Sequence, residues 1–145
     1  MIIRKAVSSD VVFIYDTLKG LRGEVDYSLE YFVEYFENFM KGDNFFIYLA
    51  ELDGLKIGLI TVNKFSMPRY CGYGLELEEV VIVEGCRGKG MVKIFIDLLI
   101  KEFQPDTLLR KVLIKTDDRG YVSELYARLF DKTSFLVFQK KINFL

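Results

Sequence analysis

The run Val80-Val81-Ile82-Val83-Glu84-Gly85-Cys86-Arg87-Gly88-Lys89-Gly90 carries the chemistry most readily read from this sequence. An apolar, strand-like stretch leads into a glycine-rich turn, and an amphipathic segment from Met91 to Phe103 follows directly. At a helix start the first N–H groups lack intrahelical partners, the helix dipole is positive, and glycine lets a phosphate approach the backbone. Arg87 and Lys89 add fixed positive charge, so the turn predicts an anion site of the phosphate type. A Walker loop would need Lys-Ser/Thr after Gly90, where the chain has Met91-Val92. A dinucleotide fingerprint on Gly88 and Gly90 would need glycine at position 93, which is Lys93, and would sit near the first strand rather than past mid-chain. The plainer alternative is a β-to-α turn that uses glycine for geometry alone.

The second candidate group is acidic. Glu76, Glu78 and Glu79 crowd the strand that feeds this turn. Alternation predicts Glu76 and Glu78 on one face, continued by Val80 and Ile82, with Glu79 on the other. Two carboxylates leading into an apolar run are costly unless solvated, paired or used. Ordinary strand-edge charges near the loop at Gly72–Gly74 are the competing reading. Other chemistry is limited by what is missing. The chain has no His and only Cys71 and Cys86 as thiols, which excludes a Ser–His or Cys–His nucleophile and leaves too few soft ligands for a zinc site. Cys86 lies beside the turn and reads as a structural thiol.

With 145 residues, half of them apolar, and 13 Phe and 9 Tyr, the chain has ample core material for one domain without a metal or disulfide staple. Its 20 Lys+Arg against 21 Asp+Glu supply no basic excess, so nucleic acid is not an expected partner. Two cysteines fit a reducing compartment, charge follows closely on Met1-Ile2-Ile3, and no apolar run approaches a membrane span. A soluble, cytoplasmic protein is the expectation.

These residues must be positioned by a mixed set of elements. Ile2 to Ala6 predicts a strand; Ser8-Ser9-Asp10 predicts an N-cap for a helix over Val11 to Leu18 that Gly20 ends. Leu21 to Tyr27 is a polar loop with Arg22, Glu24 and Asp26, and a second helix runs from about Ser28 to Met40. Phe45 to Leu52 and Leu55 to Phe65 flank Asp53-Gly54 as a hairpin, and Ser66 to Gly74 reads as a loop. Then come a strand from Leu75 to Val83, the glycine turn, the helix from Met91 to Phe103, a strand from Leu108 to Thr116, and a turn at Asp117–Gly120. A helix from about Tyr121 to Asp131 and a last strand from Phe135 to Ile142 complete the chain. The order βααβββαβαβ predicts an α/β fold, a mixed sheet covered on both faces.

Arg87-Gly88-Lys89-Gly90-Met91-Val92 resembles the Arg/Gln-x-x-Gly-x-Gly/Ala loop of the GNAT N-acyltransferases, and the order of elements is similar along nearly the whole chain. Val92 stands at the last Gly/Ala position and Glu84 where the family often has Pro. The resemblance implies one GNAT domain over residues 1–145, with a mostly antiparallel central sheet flanked by helices. It implies acetyl-CoA as cosubstrate, with Val80, Val81 and Ile82 pairing with the pantetheine arm like an added strand. The N–H groups of Gly88, Lys89, Gly90, Met91, Val92 and Lys93 would hold the pyrophosphate beside Arg87, and Ser123 stands where the family often has a cofactor-contacting Asn.

The family's frequent general bases lie a few places before the strand's conserved Val. Counting back from Ile82, which takes that place, reaches Glu76 and Glu78, either of which could take a proton from an ammonium acceptor directly or through water. The family's usual late Tyr, which protonates the leaving thiolate, is Phe130 here, in Leu129-Phe130-Asp131-Lys132-Thr133-Ser134-Phe135. Tyr126, a helical turn earlier, is the candidate acid, or else a core aromatic. Tyr27, Tyr31 and Tyr35 with Glu24 and Asp26 fall where the family has one wall of the acceptor site, which suits a small cationic amine or else merely covers a helix. The expected activity is N-acetylation by direct attack in a ternary complex. Phe130 and Val92 support the rival, a non-catalytic CoA-binding regulatory domain, and a Val92 that blocked the loop would leave an interaction module. The apolar tail Ile142-Asn143-Phe144-Leu145 offers a homodimer contact.

Overall fold

The computed structural model describes residues 1–21, 23, 25–116 and 120–131. The elements are β1 (Ile2–Lys5), α1 (Val11–Lys19), α2 (Leu29–Phe39), β2 (Phe45–Leu52), β3 (Leu55–Met67), β4 (Gly72–Ile82), α3 (Met91–Phe103), β5 (Leu109–Ile114) and α4 (Tyr121–Ala127). The sheet order β1-β2-β3-β4-β5 follows the chain. Among the described residues the pairings are antiparallel except β4 with β5, which is parallel and bridged by α3. The expected mixed, mostly antiparallel sheet flanked by helices is what forms. Two compact units divide the chain after Lys115, and α4 belongs to the second.

Both faces of the sheet are apolar because α1 and α2 cover one and α3 the other. On the first, Ile47, Leu49, Leu59 and Val81 pack with Ile14, Phe32 and Phe36. On the second, the alternate residues Tyr48, Ile60, Val62, Leu75 and Leu77 are buried, as are Phe95, Ile96 and Leu99 of α3. The Phe103 ring lies 6.2 Å from Phe46 and 5.9 Å from Tyr48. Truncating Phe95, fully buried, to Ala would cost roughly 3–5 kcal/mol.

Local chemistry sets several boundaries. Ser28 caps α2, its Oγ accepting the Tyr31 N–H at 3.2 Å. Asp53 and Gly54, with φ of 51° and 79°, make the tight hairpin turn that their types predict. Ser8-Ser9-Asp10, expected as a side-chain cap for α1, instead forms a 3₁₀ turn, and no side-chain cap bond is made at the start of α1. Asp10 is 1% exposed and serves as a hub. Its carboxylate accepts from Arg4 Nη1 at 2.7 Å and Nη2 at 3.0 Å and from the Val7 N–H at 2.9 Å. Lys56 Nζ lies 2.6 Å away. Arg4 also donates to Glu51 at 2.8 Å, so the cluster ties β1 to β2 and β3.

The segment Ser66 to Gly74, expected as a loop, is mostly strand: β3 continues to Met67 and β4 begins at Gly72 after a 3₁₀ turn at Pro68–Tyr70. Close packing outweighs the low strand propensity of glycine here. A Cβ on Gly74 would meet the Phe65 ring at 2.3 Å and one on Gly72 the Leu108 carbonyl at 2.3 Å. β5 is shorter than expected, and α4 stops at Ala127 rather than Asp131. The expected last strand, Ser134, the tail from Ile142, Arg22, Glu24 and residues 117–119 lie outside the described residues.

Candidate acyl-CoA site on strand β4

β4 leaves its partner halfway along. β5 pairs with it from Tyr73 to Leu77, and this half is pinned: Tyr73 N–H donates to Leu108 O at 3.0 Å and Tyr73 Oη–H to Asp106 Oδ2 at 2.8 Å. Burial and the Asp106 carboxylate push the Tyr73 hydroxyl up to about 12. From Glu78 to Ile82, β4 has β3 on one side and, among the described residues, no strand on the other. An extended ligand arm with amide groups could pair with such an edge as a further strand would.

The edge runs into the glycine turn. After a 3₁₀ turn at Glu84–Cys86, Gly88 and Gly90 take φ of 73° and 72°, the left-handed region that glycine enters without penalty. A Cβ built at Gly85, Gly88 or Gly90 meets nothing within 4 Å, so the turn is an open cradle. Gly90 starts α3, whose first intrahelical bond is Ile94 N–H to Gly90 O at 3.2 Å. The N–H groups of Met91, Val92 and Lys93 precede it and face the cradle end of the helix. Arg87 Nε–H donates to Ile82 O at 2.9 Å, and Lys89 Nζ to Gly85 O at 3.3 Å. A guanidinium has five N–H donors, so this bond leaves others for an anion. Lys93 turns its ammonium to Asp97, the helical pair its spacing predicts. Val92 is half-buried.

The glutamates are arranged differently from the alternation. Ile60 pairs with Val80, yet Val62 pairs with Leu77, so Glu78 and Glu79 together face the single residue Thr61. This is a β-bulge, which re-aims the side chains it carries. Asn63 faces Glu76 directly and its Nδ2 donates to Glu78 Oε1 at 3.2 Å. Thr61, two residues from Asn63 and on the same face, donates its hydroxyl to Glu79 Oε2 and accepts the Glu79 N–H at 2.9 Å. All three glutamates therefore share the face covered by α1 and α2. The expectation that Glu79 points away is corrected, and Val81, rather than Val80 and Ile82, continues their face.

Their partners differ. Glu76, 17% exposed, forms an ion pair with Lys115, whose ammonium is held above its ordinary value chiefly by that bond. Glu78 is exposed and Glu79 half-buried. Tyr35 of α2 lies near enough that burial, and then the Glu79 charge, pushes its phenol upward. Tyr35 stacks on Phe39 with centroids 4.3 Å apart, and Tyr27 and Tyr31 continue the aromatic run at 6.2 Å. The roles of Thr61, Asn63, Lys115 and Glu79 are not apparent from motif spacing. Thr61 left one signal: a hydroxyl inside the buried run Ile57–Val62 must find partners. In the second unit, Tyr126 and Ser123 lie on α4, and the Phe130 N–H donates to Tyr126 O at 2.9 Å just past the helix end.

The fold is that of the GNAT acyltransferases, with a central, mostly antiparallel sheet, one parallel pair and helices on both faces. No protein-family model and no curated protein matches the sequence. Solved structures do. The ribosomal-protein-alanine N-acetyltransferase of Brucella melitensis biovar Abortus 2308 is 14% identical with a TM-score of 0.81, over 98% of this chain and 100% of that one. A transcriptional regulator from Bacillus halodurans C-125 is 19% identical with a TM-score of 0.82, over 97% and 99%. An aminoglycoside N-acetyltransferase in complex with CoA is 17% identical with a TM-score of 0.75, over 97% and 93%. At these identities the likeness is one of fold.

Proposed function

We propose that this chain is an acetyl-CoA-dependent N-acetyltransferase, one domain over its whole length, acting in the cytoplasm on a small cationic amine. The observation that carries the reading is the continuity of three parts: the β4 edge from Glu78 to Ile82, which no strand among the described residues covers, the open glycine cradle, and the start of α3. Val80, Val81 and Ile82 would pair with the pantetheine arm. The N–H groups from Gly88 to Lys93, with Arg87 and Lys89, would hold the pyrophosphate. The fit is supported by the room in the cradle, where no atom lies within 4 Å of a built Cβ. When bound, acetyl-CoA supplies an activated thioester carbonyl.

The chain's own residues would prepare the amine. Glu78, exposed and hydrogen-bonded to a neutral amide, is freer to accept a proton than Glu76, which already holds Lys115. Tyr126 remains the candidate acid for the thiolate and Ser123 a cofactor contact. Phe130 in the usual Tyr place, and the likeness to a transcriptional regulator, favour one second reading, a non-catalytic CoA-binding regulatory domain.

Calorimetric titration with acetyl-CoA tests the site. Micromolar binding is expected, weakened roughly 10- to 100-fold in an Arg87→Ala/Lys89→Ala variant that melts as the wild type does. A folded wild-type protein that ignores millimolar acetyl-CoA would sink the reading. Binding without thiol release on any amine would favour the regulatory one.

A further inference from the structure

Thr61 is 2% exposed, and both hydrogen-bonding capacities of its hydroxyl go to one residue. At a bulge the extra residue loses its ladder partner. Thr61 replaces that partner by accepting the Glu79 N–H, and with the same oxygen it donates to the Glu79 carboxylate. One buried side chain thus closes the bulge and fixes the direction of the acid it exposes.

We propose that Glu79, held by Thr61, is the carboxylate that seats the ammonium group of the acceptor amine, with Thr61 as its positioning residue. The inference rests on the acyltransferase reading above. Three features separate Glu79 from its neighbours. Among the described residues its hydrogen-bond partner is a neutral hydroxyl and it forms no ion pair, whereas Glu76 is paired with Lys115. Glu79 directly precedes Val80–Ile82, the edge assigned to the pantetheine arm, while Glu76 sits ~10 Å further along an extended strand. Its charge also acts on the Tyr35 phenol of α2, after burial the next cause of that group's upward shift, which places α2 on the same side as the carboxylate. Glu78 differs in being exposed and bound to Asn63, a looser setting that suits a proton acceptor better than a fixed seat.

Calorimetry with acetyl-CoA comes first, because that step does not involve the acceptor. Absence of binding by the folded wild type overturns the acyltransferase reading and this inference with it. Once binding is established, thiol release is measured with spermidine, tyramine, L-lysine and glucosamine, and the best amine is carried into the variants. Glu79→Gln is expected to raise KM for the amine about 10- to 100-fold while kcat changes less than about threefold. Thr61→Val is expected to raise the same KM about tenfold, and Thr61→Ser, which restores the hydroxyl, to bring it back within about threefold of wild type. Acetyl-CoA affinity should stay within about twofold in all three, since none lines the cradle. The proposal is overturned by a wild-type KM in Glu79→Gln, by a larger KM rise in Glu76→Gln or Glu78→Gln, or by acetyl-CoA binding with no amine turned over. Should Thr61→Val fail to fold, the Glu79→Gln and Thr61→Ser pair decides alone.

Discussion

The Asp10 carboxylate, in the turn after β1, and the three glutamates of β4 have partners that differ in kind. Asp10 is enclosed by a bidentate guanidinium, an ammonium and a backbone N–H. The Arg4 guanidinium, helped by Lys56 and the Val7 N–H and opposed by burial, holds its carboxyl well below the usual range. Among the described residues the β4 trio has one ion-pair partner, Lys115 on Glu76, whose charge also reaches Glu78; the hydrogen bonds to the Glu78 and Glu79 carboxylates come from an amide and a hydroxyl. A carboxylate saturated with charge is bound to its place and has nothing to offer a ligand. One oriented by neutral donors keeps its charge available. The contrast separates an acid that holds strands together from acids placed for use.

Asp10→Ala is the severest way to break the comparison. It removes the ion-pair partner of Lys56 and leaves Arg4 with Glu51 alone, and should cost about 2–3 kcal/mol in urea unfolding, below the full buried-pair cost because both cations are about one-third exposed. Acid sharpens the same point. The folded pKa of Asp10 lies below its unfolded value, so its contribution is full above the unfolded pKa of about 4 and is lost as pH falls through the folded one. Unfolding between about pH 5 and pH 2 should therefore show a steeper loss for the wild type than for Asp10→Asn. Glu76→Gln tests the intermediate case: with Lys115 more than half exposed, the loss should be at most about 1 kcal/mol. Glu78→Gln should be smallest, within about 0.5 kcal/mol, and a larger value would make that residue structural after all.

Much of this architecture is legible in residue types. Phe45–Leu52 and Met91–Phe103 form with the bounds that their residue patterns predict, and the Asp53-Gly54 turn follows from its dipeptide. The cradle is legible too, since glycine spacing and helix start are local features. What escapes is non-local. A strict period of two cannot register a bulge, so Glu78 is placed on the face of Glu76 correctly but the faces of Glu79 to Ile82 are misassigned until Thr61 is seen opposite the bulge. The Ser8–Asp10 segment looks like a cap because its true partners, Arg4 and Lys56, are brought to Asp10 only by the sheet. Gly72 and Gly74 read as loop because the ring and carbonyl that need their missing Cβ lie on other strands.

The strand order carries a consequence for how the chain folds. Among the described residues, neighbours in the sheet are successive strands and three of the four pairings are antiparallel; β1 and β2 are separated by α1 and α2, and β4 and β5 by α3. Loop-closure entropy makes the two long-range pairings, β1 with β2 across α1 and α2 and β4 with β5 across α3, the slow ones, so the β2–β3–β4 meander should form the nucleus and β1 and β5 should dock late. Rate measurements on destabilised variants would then show substitutions in Leu49 or Leu59 slowing refolding and those in Val112 or Leu113 mainly hastening unfolding. The half of β4 that offers its edge would be built early, and the strand that frames it would arrive after it.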